Sequence, residues 1–165
     1  MCSMTSAEKI DLLDKTLNRI LGAISSADAK VAQLFAISTG MLGFEATIVA
    51  KIIPFSCYDY ITVATSALLL LFCLFSLFMV LYPRLSGPVV SILYFNKIAN
   101  SDSDCYRNNL DRLKEEDLFD DYVRQCHRNA EIAMDKYNWL RKANIALFLA
   151  TIPWLVVVLI GYAGL

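Results

Sequence analysis

Aromatic rings, cations and side-chain amides interleave in one polar stretch of this chain: Tyr94, Phe95, Lys97, Tyr106, Arg107 and Asn108, then Arg124, Gln125, Arg128 and Asn129. A ring offers a flat base something to stack on. An arginine meets a phosphate with two parallel N–H donors, and an amide both donates to and accepts from a base edge. Together these are the needs of a small anionic nucleotide. Tyr94, Phe95 and Tyr106 are the candidate stacking groups, Arg124 or Arg128 the candidate phosphate ligand, and Gln125 the candidate amide. The residue types alone recur on many helical bundles, so the argument depends on what positions them.

Other chemistry has less support. The single histidine, His127, has no carboxylate or cysteine at a recognisable spacing. The chain contains no glycine-rich phosphate loop, GxSxG or HExxH. Cys2, Cys57, Cys73, Cys105 and Cys126 are an odd number without a CxxC pair, which argues against a disulfide framework and against a zinc site. The expectation is a protein that is not an enzyme and holds no metal or cofactor. Its net charge of −1 gives no bias toward a nucleic acid polymer.

The elements that must carry these residues are set by hydropathy. The chain has 165 residues, 57% of them hydrophobic, and a mean hydropathy of +0.49. No residue is charged from 60 to 83 or from 143 to 165. A helix needs roughly 20 residues to cross a hydrocarbon core, and only a helix satisfies its own backbone there. A third span is expected at 31–53, interrupted by Glu45 and Lys51. The N-terminus is no signal peptide, being amphipathic and charged where an apolar run should sit. The expected fold is an all-α membrane protein. Its parts are a cytoplasmic amphipathic helix at 1–30 continuous with the span at 31–53, a second span at 58–82, a cytoplasmic helical region at 84–142 and a third span at 143–165.

Ten of the fifteen lysines and arginines lie between 84 and 142, four precede residue 31, and the connection 54–59 has none. Positive charge stays in the cytoplasm, which places the N-terminus inside. Two heptad seams join the soluble parts to the spans. Ile10, Leu13, Leu17, Ile20, Ile24, Ala27, Val31 and Leu34 alternate by three and four, and Ser38, Met41, Glu45 and Ile48 continue them. Phe119, Val123, Cys126, Ala130, Ala133, Tyr137 and Leu140 form the second. Thr5 and Glu8 have capping-box spacing. Both seamed helices run from the cytoplasm outward, so they are parallel and form a coiled-coil-like stalk. A short helix is expected at 89–98 and another helix or turn at 105–113, with a loop at 100–104.

On this scheme Glu45 faces the packed side of its span, either binding helices together or lining a pore in a homo-oligomer. Gly40 and Gly43 allow close helix approach nearby. Pro153 is expected to kink the third span and free the carbonyl of Leu149. Asp28 and Arg141 enter the bilayer at one depth and are expected to pair.

Asp28-Ala-Lys30, Pro83, Tyr94-Phe95-x-x-Ile98, Tyr106, Glu116, Tyr122-x-x-Gln125 and Lys136-Tyr-Asn-Trp-Leu-Arg141-x-Ala143 form a familiar series. It resembles the membrane effectors of Pycsar, the bacterial anti-phage system that signals with cyclic pyrimidine mononucleotides. The resemblance runs from about Asp28 to the C-terminus. It implies a partner pyrimidine cyclase that makes cyclic CMP or cyclic UMP on infection. The effector would sense that messenger and impair the inner membrane, ending in abortive infection. Two other readings fit the residues: a ligand-independent holin-like toxin, and a membrane-anchored interaction scaffold.

Overall fold

Thr5 and Glu8 start the first helix as their spacing predicts. The Thr5 backbone N–H donates to Glu8 Oε2 at 2.8 Å, and the Glu8 N–H donates to Thr5 Oγ1 at 3.3 Å. The backbone bond, then the hydroxyl, hold the Glu8 carboxyl below the usual carboxylate range. The computed structural model describes residues 4–50, 56–84, 87 and 91–163. The helices are α1 (Ser6–Val49), α2 (Cys57–Leu81), α3 (Phe95–Ala99), α4 (Ser103–Asp111) and α5 (Glu115–Ala163). Among the described residues there is no strand. α1, α2 and α5 are each long and apolar enough to cross a membrane. Cys2, the expected span end at 51–53, Pro88, the start of the expected helix at 89–90, and 164–165 lie outside the described residues.

Two compact units divide the chain. The first takes Met1–Ser25 and Pro83–Met134, the second Ser26–Tyr82 and Asp135–Leu165. The helix bounds of α1 and α5 each include residues of both units.

The second unit is a three-helix bundle. Ala27 and Val31 of α1, Cys73, Leu77 and Val80 of α2, and Leu140, Ala143 and Ala146 of α5 form its core. α1 and α5 are parallel: Trp154 Nε1 donates to the Met41 carbonyl at 3.0 Å, and further along Gly161 lies against Ile48. α2 is antiparallel to α1, since Ser38 meets Cys73 at 3.3 Å and Glu45 meets Ser66 at 2.9 Å. Hydroxyls on the outer faces return to their own helix, Thr62 to the Tyr58 carbonyl and Thr65 to that of Ile61. Such bonds satisfy polar groups that lipid would leave stranded.

Three expectations change here. Lys136, not Arg141, holds Asp28, with Nζ 2.5 Å from Oδ1. Arg141 is level with Asp28 but sits on the exposed side of α5, whereas Lys136 shares the buried face with Leu140 and Ala143. Depth is legible in the sequence, but helical face decides the pairing. Gly40 and Gly43 face open space, and the close approach belongs to Gly161, where a Cβ would come 2.8 Å from Ile48 Cγ2. In α5 the expected seam residues Val123, Ala130 and Tyr137 are exposed, while Asp121, Gln125 and Lys136 are buried. Pro153 lies inside α5, and the helix runs through it.

Gly22, exposed within α1, also has open space where the methyl group of an alanine would sit. Gly22→Ala is therefore expected to raise stability by about 0.5–1 kcal/mol, through lower entropy of the unfolded chain. Thermal unfolding in detergent reads the shift, and a fall in midpoint would contradict it.

Candidate functional site

Two cavities in the first unit divide the candidate residues between them. Asp121 of α5 organises the turn that separates them. Its Oδ2 accepts from the Ser91 hydroxyl at 3.0 Å, the Ile92 N–H at 2.8 Å and the Leu93 N–H at 3.1 Å. The Ser91 oxygen in turn accepts from the Tyr94 N–H at 3.0 Å and from Gln125 Nε2 at 2.9 Å. These side-chain bonds hold residues 91–94 in a bend, and the helix starts only at Phe95, with Tyr94 as an N-cap that makes no side-chain cap bond. Residues 91–94 of the run expected as a helix at 89–98 are thus held out of helix by the polar groups under them.

The turn presents Tyr94 and Phe95 as an edge-to-face pair with centroids 4.9 Å apart. A Cβ on Gly87 would overlap three carbons of the Tyr94 ring, so the ring packs onto bare backbone. These rings, Leu93, Arg84, Leu17 and Leu21, and Gln125, Arg128, Asn129 and Ile132 of α5 enclose a cavity of about 270 Å³. That is near the lower end for small-molecule sites, which run from roughly 300 Å³ upward. Arg128 Nη1 donates to Glu131 Oε2 at 2.9 Å at the edge of α5. Asn129 Nδ2 donates to the Gln125 carbonyl at 2.9 Å and thereby steadies the Gln125 side chain as well, 3.4 Å away.

Tyr106 and Arg124 are elsewhere. They line a wider cleft of about 510 Å³ together with Lys97, Arg112, Asp117 and Asp121. Arg124 is exposed and its Nε returns to the Asp120 carbonyl at 3.2 Å. Of the six nucleotide-binding candidates, Tyr94, Phe95, Gln125 and Arg128 come together, and Tyr106 and Arg124 do not join them. Arg84 enters the sequence reading only as a topology charge and Ser91 not at all, although serine is a residue type that often bonds backbone N–H groups two or three residues on.

The α1 side of this unit is held by polar contacts too. Tyr122 OH donates to Asp14 Oδ1 at 3.3 Å, and Cys126 Sγ donates to the Leu13 carbonyl at 3.4 Å. Burial first, and the Asp14 carboxylate second, push the Tyr122 phenol and the Cys126 thiol above their usual ranges, so both stay protonated and donating. Cys57, Cys73, Cys105 and Cys126 are free thiols. Among the described residues no cluster of histidine, cysteine and carboxylate has metal-site geometry.

Glu45 and Pro153 fall in the second unit. Glu45 is 3% exposed, accepts from Ser66, and has no partner for Oε1 among the described residues.

No curated protein and no solved structure matches this chain. The family model described as the Pycsar effector protein domain matches residues 12–163. That span takes in α2, α3, α4, α5, both cavities and most of α1, and the chain belongs to the Pycsar effector family.

Proposed function

We propose that this Pycsar defence effector senses a cyclic pyrimidine mononucleotide, cyclic CMP or cyclic UMP, made by a partner cyclase. It then impairs the bacterial inner membrane and causes abortive infection. The reading places the first unit and the N-terminus in the cytoplasm and the second unit in the bilayer, with several copies acting together. The carrying observation is the cavity that gathers Tyr94, Phe95, Arg84, Arg128, Gln125 and Asn129. Tyr94 and Phe95 supply the stacking faces, Arg128 and Arg84 the charge for the cyclic phosphate, and the two amides the edge contacts. Arg128 would exchange Glu131 for the phosphate. The messenger must bind the active arrangement better than the resting one, because differential affinity alone shifts a population. α1 and α5 belong to both units, which supplies a covalent route from binding to the membrane.

Equilibrium binding of the protein in detergent to cyclic CMP, UMP, AMP and GMP tests this. One pyrimidine is expected to bind selectively. Arg128→Ala should weaken it about 30-fold, the worth of a charged hydrogen bond, while Arg124→Ala leaves it unchanged. Equal weakening by both variants would move the site to the wider cleft, and no selective binding would remove the sensing role.

A further inference from the structure

We infer that the interior of the three-helix unit is a gated proton path, in which Glu45 carries the proton and Leu70 is the plug. This rests on the reading of these helices as membrane-crossing.

Two polar layers lie inside the unit, each made by α1 and α2 at matched levels. Ser38 meets Cys73 in one, and Glu45 meets Ser66 in the other. Ser38, Ser66 and Cys73 are all 0% exposed. Seven residues separate the layers on each helix, about 10 Å along the axis. Between them sits Leu70, also 0% exposed, at the level where Trp154 donates to the Met41 carbonyl. The pattern is therefore polar, apolar, polar along one interior line.

Glu45 supplies the carboxyl group on this line, whose other titratable member is the Cys73 thiol paired with Ser38. Ser66 satisfies Oε2, while Oε1 is buried with no hydrogen-bond partner among the described residues. Among the described residues of 31–50, 57–81 and 143–163 there is no lysine, arginine or histidine to pair with Glu45, and Lys51 lies outside the described residues. The other titratable groups on the packed helices are Cys57, Tyr58, Asp59, Tyr60 and Cys73 of α2 and Tyr162 of α5. Helix cohesion alone would be served by serine pairs such as Ser38 with Cys73. A carboxylic acid is costly in such a place, and proton relays are among the roles for which such groups are kept there.

The transfer balances simply. With the bundle loosened, water reaches Oε1 from one side, and the Glu45 carboxylate takes one proton from a hydronium. The carboxylic acid then gives that proton to water beyond the Leu70 level and returns to carboxylate. One proton crosses per cycle, and an outside counterion flow must compensate the charge.

The test uses the full chain in proteoliposomes that enclose a pH-sensitive dye, with a pH gradient and a potassium ionophore to balance charge. Leu70→Ala should leak protons without any messenger. Adding Glu45→Gln to it should cut that leak about ten-fold, and adding Glu45→Asp should preserve it, as expected of a proton relay. Release of an enclosed larger dye should stay low throughout. Because this arm needs no nucleotide, it stands even if messenger binding fails. In the wild type, messenger should open the same flux, and Glu45→Gln should block it while binding messenger normally. Equal proton leakage with and without the Glu45 carboxyl, or parallel loss of the larger dye, would overturn the relay in favour of an unselective pore.

Discussion

Asp121→Ala is expected to unfasten the turn at 91–94 and to cost the first unit about 3 kcal/mol, the sum of three half-buried donors left without their acceptor. Asp121 is 4% exposed, and a single oxygen holds two backbone N–H groups and the Ser91 hydroxyl. Alanine cannot replace that acceptor, and the half-buried donors at 91–93 rehydrate only in part from the cleft. The Ile92 and Leu93 amides should lose most of their protection from hydrogen exchange. Tyr94 should lose its seat, so nucleotide affinity should fall with them. Asp121→Asn should recover part of the protection, because its amide oxygen still accepts, although without charge. Unchanged exchange at Ile92 and Leu93 in the alanine variant would show that the turn stands without Asp121.

Asp28→Asn is expected to destabilise the second unit by about 2–3 kcal/mol. It leaves the Lys136 ammonium, whose side chain is 11% exposed, without its carboxylate. Breaking a fully buried pair in this way costs roughly 3–5 kcal/mol; the Asp28 side chain, 38% exposed, lets water soften the loss. Lys136→Ala should cost less, since Asp28 can hydrate once released. The reversed pair, Asp28→Lys with Lys136→Asp, should regain stability that either single reversal loses. The matching exchange between Asp28 and Arg141 should regain nothing. Thermal unfolding in one detergent decides among these, and rescue by the Arg141 exchange would return the pairing to the level expected from depth.

The first seam is legible because its inward positions are apolar or small as far as Leu34, and Ser38, Met41, Glu45 and Ile48 extend them on strict spacing. Each of those positions is buried or half-buried. The second seam misleads because apolar periodicity gives the inward places to apolar residues. In α5 those places go to Asp121, Gln125 and Lys136, each of which has a partner on a distant segment. Hydrophobic periodicity cannot register such pairing, so it turns Val123 and Tyr137 inward. The candidate cavity is half legible for a related reason. Residue type collects Tyr94, Phe95, Gln125 and Arg128, which share one cavity, together with Tyr106 and Arg124, which line another across the turn held by Asp121. Arg84 escapes that reading because, at the end of a span, it counts only as topology charge.

The missing side chain at Gly87 has a consequence for how a guest is received. Any side chain at this position would collide with the Tyr94 ring, so the ring keeps its place only because residue 87 is glycine. On the proposed function a base stacked on Tyr94 would press on a ring that only glycine at 87 leaves room for, so Gly87→Ala is expected to weaken nucleotide binding by displacing Tyr94.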